Sequence, residues 1–181
     1  MKNIKRVLCL VLTLLMVAST VSVFAAFSDV PTTASYEKAV SALSQLGIIK
    51  GYDDGTFKPD NDVTRAEFTA MLMRTMGAGS IGSSSSADLP FSDVSDQNSD
   101  ISWSIPNINT AYKNGIVNGY EDGTFRPNDK VAYEEAVKMV VCALGYGENI
   151  SVDATPWYSN FMAQARSESS ILITVNDTIF I

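Results

Sequence analysis

An all-α chain assembled from a repeated helix–loop–helix unit is predicted by three observations. The nonapeptide Gly51–Pro59, GYDDGTFKP, returns 68 residues later as Gly119–Pro127, GYEDGTFRP, with seven of nine positions identical and both changes conserving charge. A period of this length marks one supersecondary unit used repeatedly. The flanks repeat as well: FSDV opens each unit at Phe27–Val30 and Phe91–Val94, and a Gly-Ile pair precedes each loop at Gly47-Ile48 and Gly115-Ile116. Apolar residues at helical spacing lie on both sides of each loop.

The stretch before the first unit belongs to no repeat. Lys2, Lys5 and Arg6 form a basic start, Val7–Val23 is apolar except for Thr and Ser, and Val23-Phe24-Ala25 offers a small residue for cleavage. Residues 1–26 therefore read as a secretory signal peptide. The alternative is an uncleaved membrane anchor, but a run of 17 residues is at the bottom of the spanning range. All 20 acids follow this segment and three of the 13 bases lie within it, leaving ten bases against 20 acids. Such a surface repels nucleic acid and anionic lipid, so neither is an expected partner, and no membrane association is expected after cleavage. Cys9 leaves with the signal, and Cys142 then has no partner for an intramolecular disulfide; its place on an apolar helical stripe reads as a buried, inert thiol. The chain has no His, which removes the usual general base and the commonest metal ligand.

The first unit spans residues 27–77. Tyr36, Ala39, Val40, Leu43 and Leu46 form one apolar helical face, which Gly47 ends as a left-handed cap. Asp54-Gly55 is a turn signal, and Phe57 and Pro59 fold the loop back on the helices. Thr64-Arg65-Ala66-Glu67 has the capping-box pattern, and Phe68, Met71, Leu72 and Thr75 continue the helix behind it. Residues 78–90, rich in Gly and Ser, read as a flexible linker.

The second unit spans residues 91–147. Trp103, Ile105, Ile108 and Tyr112 mark its first helix, with Pro106 tolerated in the first turn; Val137, Val140, Val141 and Leu144 mark its second. The capping threonine is replaced: Val131-Ala132-Tyr133-Glu134-Glu135 stands where the first copy has Val63–Glu67, which predicts a weaker helix start by about 1 kcal/mol. Residues 148–181 read as a partial or degenerate third unit. Trp157 matches Trp103, and Tyr158, Phe161, Met162 and Ala165 give a short apolar face, but no third loop follows and Ile171–Ile181 has a strand-like composition. A truncated or frame-shifted end and a degenerate unit that recruits a partner both fit this tail.

The FSDV openings, the Gly-Ile pairs, the GYxDGTFxP loops and the Thr64–Glu67 run, recurring in order, resemble the S-layer homology family. The resemblance implies helix–loop–helix repeats packed as a pseudo-threefold bundle, here with the third repeat incomplete. It implies an exported bacterial module, at the cell wall or cell surface, that binds an anionic secondary cell-wall polysaccharide, often pyruvylated, without performing chemistry. By the same resemblance Arg65 contacts the acidic group of the sugar, and Asp29, Asp93, Trp103 and Trp157 line grooves between repeats. A guanidinium suits a carboxylate through two parallel hydrogen bonds, and an indole suits the apolar face of a sugar ring. The plainer readings are an Arg65 paired locally with Asp62 or Glu67, aspartates that cap turns, and tryptophans in the core. Tyr133 takes the place of Arg65 in the second copy and cannot neutralise a carboxylate.

Two other functions are weaker. Asp53, Asp54, Asp60 and Asp62 crowd one loop as calcium ligands do, but the position six past Gly55 is Asn61, where an EF-hand needs Glu. No nucleophile motif, phosphate loop or metal-ligand spacing suggests an enzyme, and no cofactor or metal is expected. The rival to sugar binding is a structural or protein-interaction module that assembles with other members of the family.

Overall fold

The computed structural model describes residues 27–79 and 82–167; the expected signal segment and the Ile171–Ile181 tail lie outside the described residues. Among the described residues the chain forms six α-helices and one 3₁₀ turn, with a single antiparallel bridge, Thr64 to Lys130, and no strand. It divides into two compact units between Pro59 and Asp60, which cuts the first sequence repeat between its loop and its second helix.

The unit ending at Pro59 holds the FSDV opening, helix α1 (Glu37–Gln45) and the first loop. Gly47 ends α1 at φ 72, as its sequence position predicts. The loop is closed by the Tyr52 N–H on the Thr56 carbonyl and the Gly55 N–H on the Tyr52 carbonyl, both 2.9 Å. Phe27 stacks on Phe57 with ring centroids 5.6 Å apart. That ring also dictates Gly51, because a Cβ there would stand 2.2 Å from Phe27 Cε1. The second loop repeats the device with Phe91 and Gly119.

The unit beginning at Asp60 contains α2 (Arg65–Thr75), the short α3 (Ser99–Ser102), α4 (Ile105–Lys113), α5 (Tyr133–Ala143), the 3₁₀ turn Gly147–Asn149 and α6 (Ser159–Ser167). Its main core gathers Met73 from α2, Phe91 and Val94 from the second FSDV, Ile105, Ile108 and Ala111 from α4, Phe125 from the second loop, and Ala136 and Met139 from α5. The other side of α5, Val137 and Val141, packs on Phe161 and Ala165 of α6. Each second helix thus completes the core of the unit that follows it in sequence.

Three local readings need correction. Residues 82–90, read as a flexible linker, lie along α4: Asn109 donates to the Ser85 carbonyl at 3.3 Å, Ser86 donates to Asp96 at 3.2 Å, and Leu89 packs on the core. Serine backbone and hydroxyl groups supply the partners that its composition hides. Trp103 precedes α4 and is 47% exposed, so it contributes nothing to that helix's apolar face. The capping box of α5 is half present. Ala132 has no oxygen to offer, yet Glu135 still accepts its N–H at 3.0 Å. Cys142 is half-buried between the two clusters, and burial pushes its thiol pKa up.

Candidate functional site

Arg65 sits at the first position of α2, and Thr64 caps that helix in a complete capping box with Glu67. The helix start is tied to the second loop by backbone bonds: Arg65 N–H to Asp129 O at 2.9 Å, Ala66 N–H to Pro127 O at 3.0 Å, and Val131 N–H to Val63 O at 3.0 Å. These bonds use donors that a helix N-terminus otherwise leaves for solvent or a ligand. They also aim the Arg65 side chain inward, where it is 5% exposed. Its Nε donates to the Phe125 carbonyl at 2.9 Å, and its terminal nitrogen meets Glu135 Oε2 at 3.0 Å. The guanidinium lies over the rings of Tyr120 and Phe125 at 4.8 and 4.9 Å. Its ion-pair partner is Glu135, whereas Asp62 pairs with Lys130 at 2.6 Å.

Glu135 is the hub of this arrangement, binding Arg65, the Ala132 N–H and the Tyr120 hydroxyl. Burial works to raise its pKa, but those donors and the Arg65 charge outweigh it and hold the carboxylate below its ordinary value. Burial and the hydrogen bond to Glu135 push the Tyr120 phenol up to about 12. The cluster is therefore a closed ion pair with a neutral phenol, without a proton to exchange near neutral pH. The sequence signal for Glu135 was its place three residues after the helix cap, matching Glu67; nothing local linked it to Arg65.

Asp29 and Asp93 perform the same task in the two units. Asp29 accepts the N–H groups of Phe57 and Lys58 at 2.8 and 2.7 Å. Asp93 accepts those of Phe125 and Arg126 at 2.8 and 2.7 Å. Lys58 and Arg126 have φ of 56 and 58, a left-handed conformation that costs a non-glycine residue about 1–2 kcal/mol. The two carboxylates hold those residues in place, and the Phe57 bond, first among several, keeps the Asp29 pKa below its ordinary value.

The two tryptophans are the most exposed of the candidate site residues. Trp103 anchors its indole N–H on the Asp100 carbonyl at 3.0 Å and leaves 47% of its surface open. Trp157 is 41% exposed and meets Tyr158 and Phe161 edge-on at 5.6 and 6.5 Å. Lys138 of α5 approaches the Trp157 and Phe161 rings at 5.8 and 5.7 Å, a cation that sequence spacing did not single out. Tyr133, in the place of Arg65, packs against the α5–α6 cluster. In the acidic first loop Asp54 is held by Thr56 and Lys58, and among the described residues no three acids or thiols converge as a metal site.

A family model described as S-layer homology domain matches residues 26–69 and 90–137. The chain is similar to a cell surface protein of Thermoanaerobacter kivui, 33% identical over 92% of this chain and 21% of the relative. It is similar to an endoglucanase of Bacillus sp. strain KSM-635, 37% identical over 68% of this chain and 12% of the relative. A cellulosome-anchoring protein of Acetivibrio thermocellus is 31% identical over 48% of this chain and 19% of the relative. The chain thus spans about a fifth, or less, of the length of these relatives.

Proposed function

The chain belongs to the S-layer homology domain family, and on that premise we propose that it is a cell-surface anchoring module that holds an anionic secondary cell-wall polysaccharide non-covalently. The observation that carries this reading is the family match across both repeats. The same kind of segment occurs in relatives named for a cell surface, an endoglucanase and cellulosome anchoring. A part shared by proteins with such different names is suited to placing them rather than to doing their chemistry.

Within this reading the exposed indoles of Trp103 and Trp157 receive sugar rings. Asp29 and Asp93 shape the loops. Arg65 acts from behind, fixing α2 against the second loop. The test is sedimentation of the chain with isolated wall sacculi, with and without their secondary polysaccharide. Binding is expected to need the polysaccharide and to weaken in Trp103→Ala and Trp157→Ala. If the unaltered chain stays in solution with both wall preparations, sugar anchoring is excluded and assembly with other family members becomes the reading to pursue.

A further inference from the structure

We propose that Asn118, at the entry to the second loop, is a site of spontaneous backbone modification, where the Gly119 nitrogen displaces the side-chain amide. The inference holds whatever the chain binds. The sequence contains two Asn-Gly pairs, Asn114-Gly115 and Asn118-Gly119, both in the second repeat. The matching positions 68 residues earlier are Leu46-Gly47 and Lys50-Gly51, which carry no amide. Asparagine is thermolabile, and a following glycine has no Cβ to shield its nitrogen. The structure separates the two pairs. Asn114 ends α4, with its Nδ2 donating to the Thr110 carbonyl at 2.7 Å and the Gly115 N–H donating to the Tyr112 carbonyl at 2.9 Å. The leaving amide and the attacking nitrogen are both engaged there. Asn118 is exposed, and among the described residues neither its side chain nor the Gly119 N–H makes a hydrogen bond.

The reaction consumes only water. The Gly119 nitrogen bonds to Asn118 Cγ, the Cγ–Nδ2 bond breaks, and the amide leaves as ammonia with the proton from Gly119. Water then opens the cyclic imide. Opening at Cγ gives aspartate. Opening at the Asn118 backbone carbonyl gives isoaspartate, whose main chain runs through Cβ and Cγ and is thereby lengthened. The lengthening falls where the backbone has little room. A Cβ on Gly119 would stand 2.5 Å from Phe91 Cε1 and 2.7 Å from the Thr124 carbonyl oxygen. The next residue, Tyr120, closes the loop through its N–H on the Thr124 carbonyl at 2.8 Å and gives its hydroxyl to Glu135. Its ring lies under the Arg65 guanidinium. Isoaspartate formation at Asn118 therefore loosens the second loop irreversibly, and with it the enclosure of Arg65.

The experiment incubates the full chain in mildly alkaline buffer, folded and in urea, and follows each Asn-Gly pair by peptide mass mapping. Two hydrogen bonds must open before Asn114 can react, so folded Asn118 is expected to convert about tenfold faster than folded Asn114. In urea the two are expected to convert alike. Asn118→Lys, which installs the residue of the first repeat, is expected to abolish the fast conversion. The isoaspartate fraction, separated by chromatography, is expected to melt at a lower temperature than the unaltered chain, while Asn118→Asp, which adds the charge without the lengthening, melts close to it. Equal conversion of the two pairs in the folded chain overturns the assignment. So does a folded Asn118 that stays intact while the urea sample converts. An isoaspartate fraction that melts with the unaltered chain overturns the loosening of the loop.

Discussion

The guanidinium of Arg65 is enclosed by groups that all come from the second loop and its following helix: the Phe125 carbonyl, the Glu135 carboxylate and the rings of Tyr120 and Phe125. Breaking a buried ion pair from one side leaves the other charge poorly compensated, so Arg65→Met is expected to cost about 3 kcal/mol, read by urea denaturation. Glu135 would keep two donors, Tyr120 and the Ala132 N–H, which limits the damage. It follows that lost wall binding in an Arg65 variant cannot be assigned to lost sugar contact unless folding is measured alongside. Among the exposed carboxylates, Asp122 is held at a pKa of about 2, against an ordinary 3.8, by its hydrogen bonds to Thr124 and Arg126. A depressed folded-state pKa contributes stability above the ordinary value and loses it as pH falls toward the folded one. The chain is therefore expected to lose stability between about pH 4 and 2, and Asp122→Asn to flatten that slope in acid titrations followed by circular dichroism.

Helix α2 and helix α5 begin alike in backbone but not in chemistry. Both caps are extended, Thr64 at ψ 160 and Ala132 at ψ 151, but only Thr64 can accept the third N–H. Ala132→Thr is expected to stabilise the protein by about 1 kcal/mol and Thr64→Ala to destabilise it by a similar amount, both read from thermal melts. This is the scale at which the sequence was most legible. The capping box, the Gly47 stop and the loop turns each follow from residues within four positions of one another, and the structure contains all of them. The site was legible in part. The two FSDV aspartates were visible as turn caps, but their acceptance of paired amides 28 to 33 residues away was not. The inward turn of Arg65 depends on a carbonyl 60 positions on, and the exposure of Trp103 depends on where α4 begins, so neither has a local signature.

At the scale of the molecule, the sequence repeat and the packing repeat are out of phase. The structural division falls at Pro59, and α2, written in the first repeat, buries Met73 in the core of the second. A fragment covering residues 60–167 is expected to melt cooperatively with its helical signal intact. A fragment cut at the sequence repeat, residues 91–147, is expected to lose cooperativity, because its core would lack α2. Calorimetry on the two fragments separates these outcomes. The same phase shift imposes a waiting time on folding. During synthesis the chain emerges from its N-terminus, and α2 is complete long before Phe125, Asp129 and Glu135 exist to receive it. Contacts across such separations close late, after the entropy of a long loop has been overcome. Until then Met73 of α2 lacks the core that buries it, which prolongs the stage at which the nascent chain is open to aggregation.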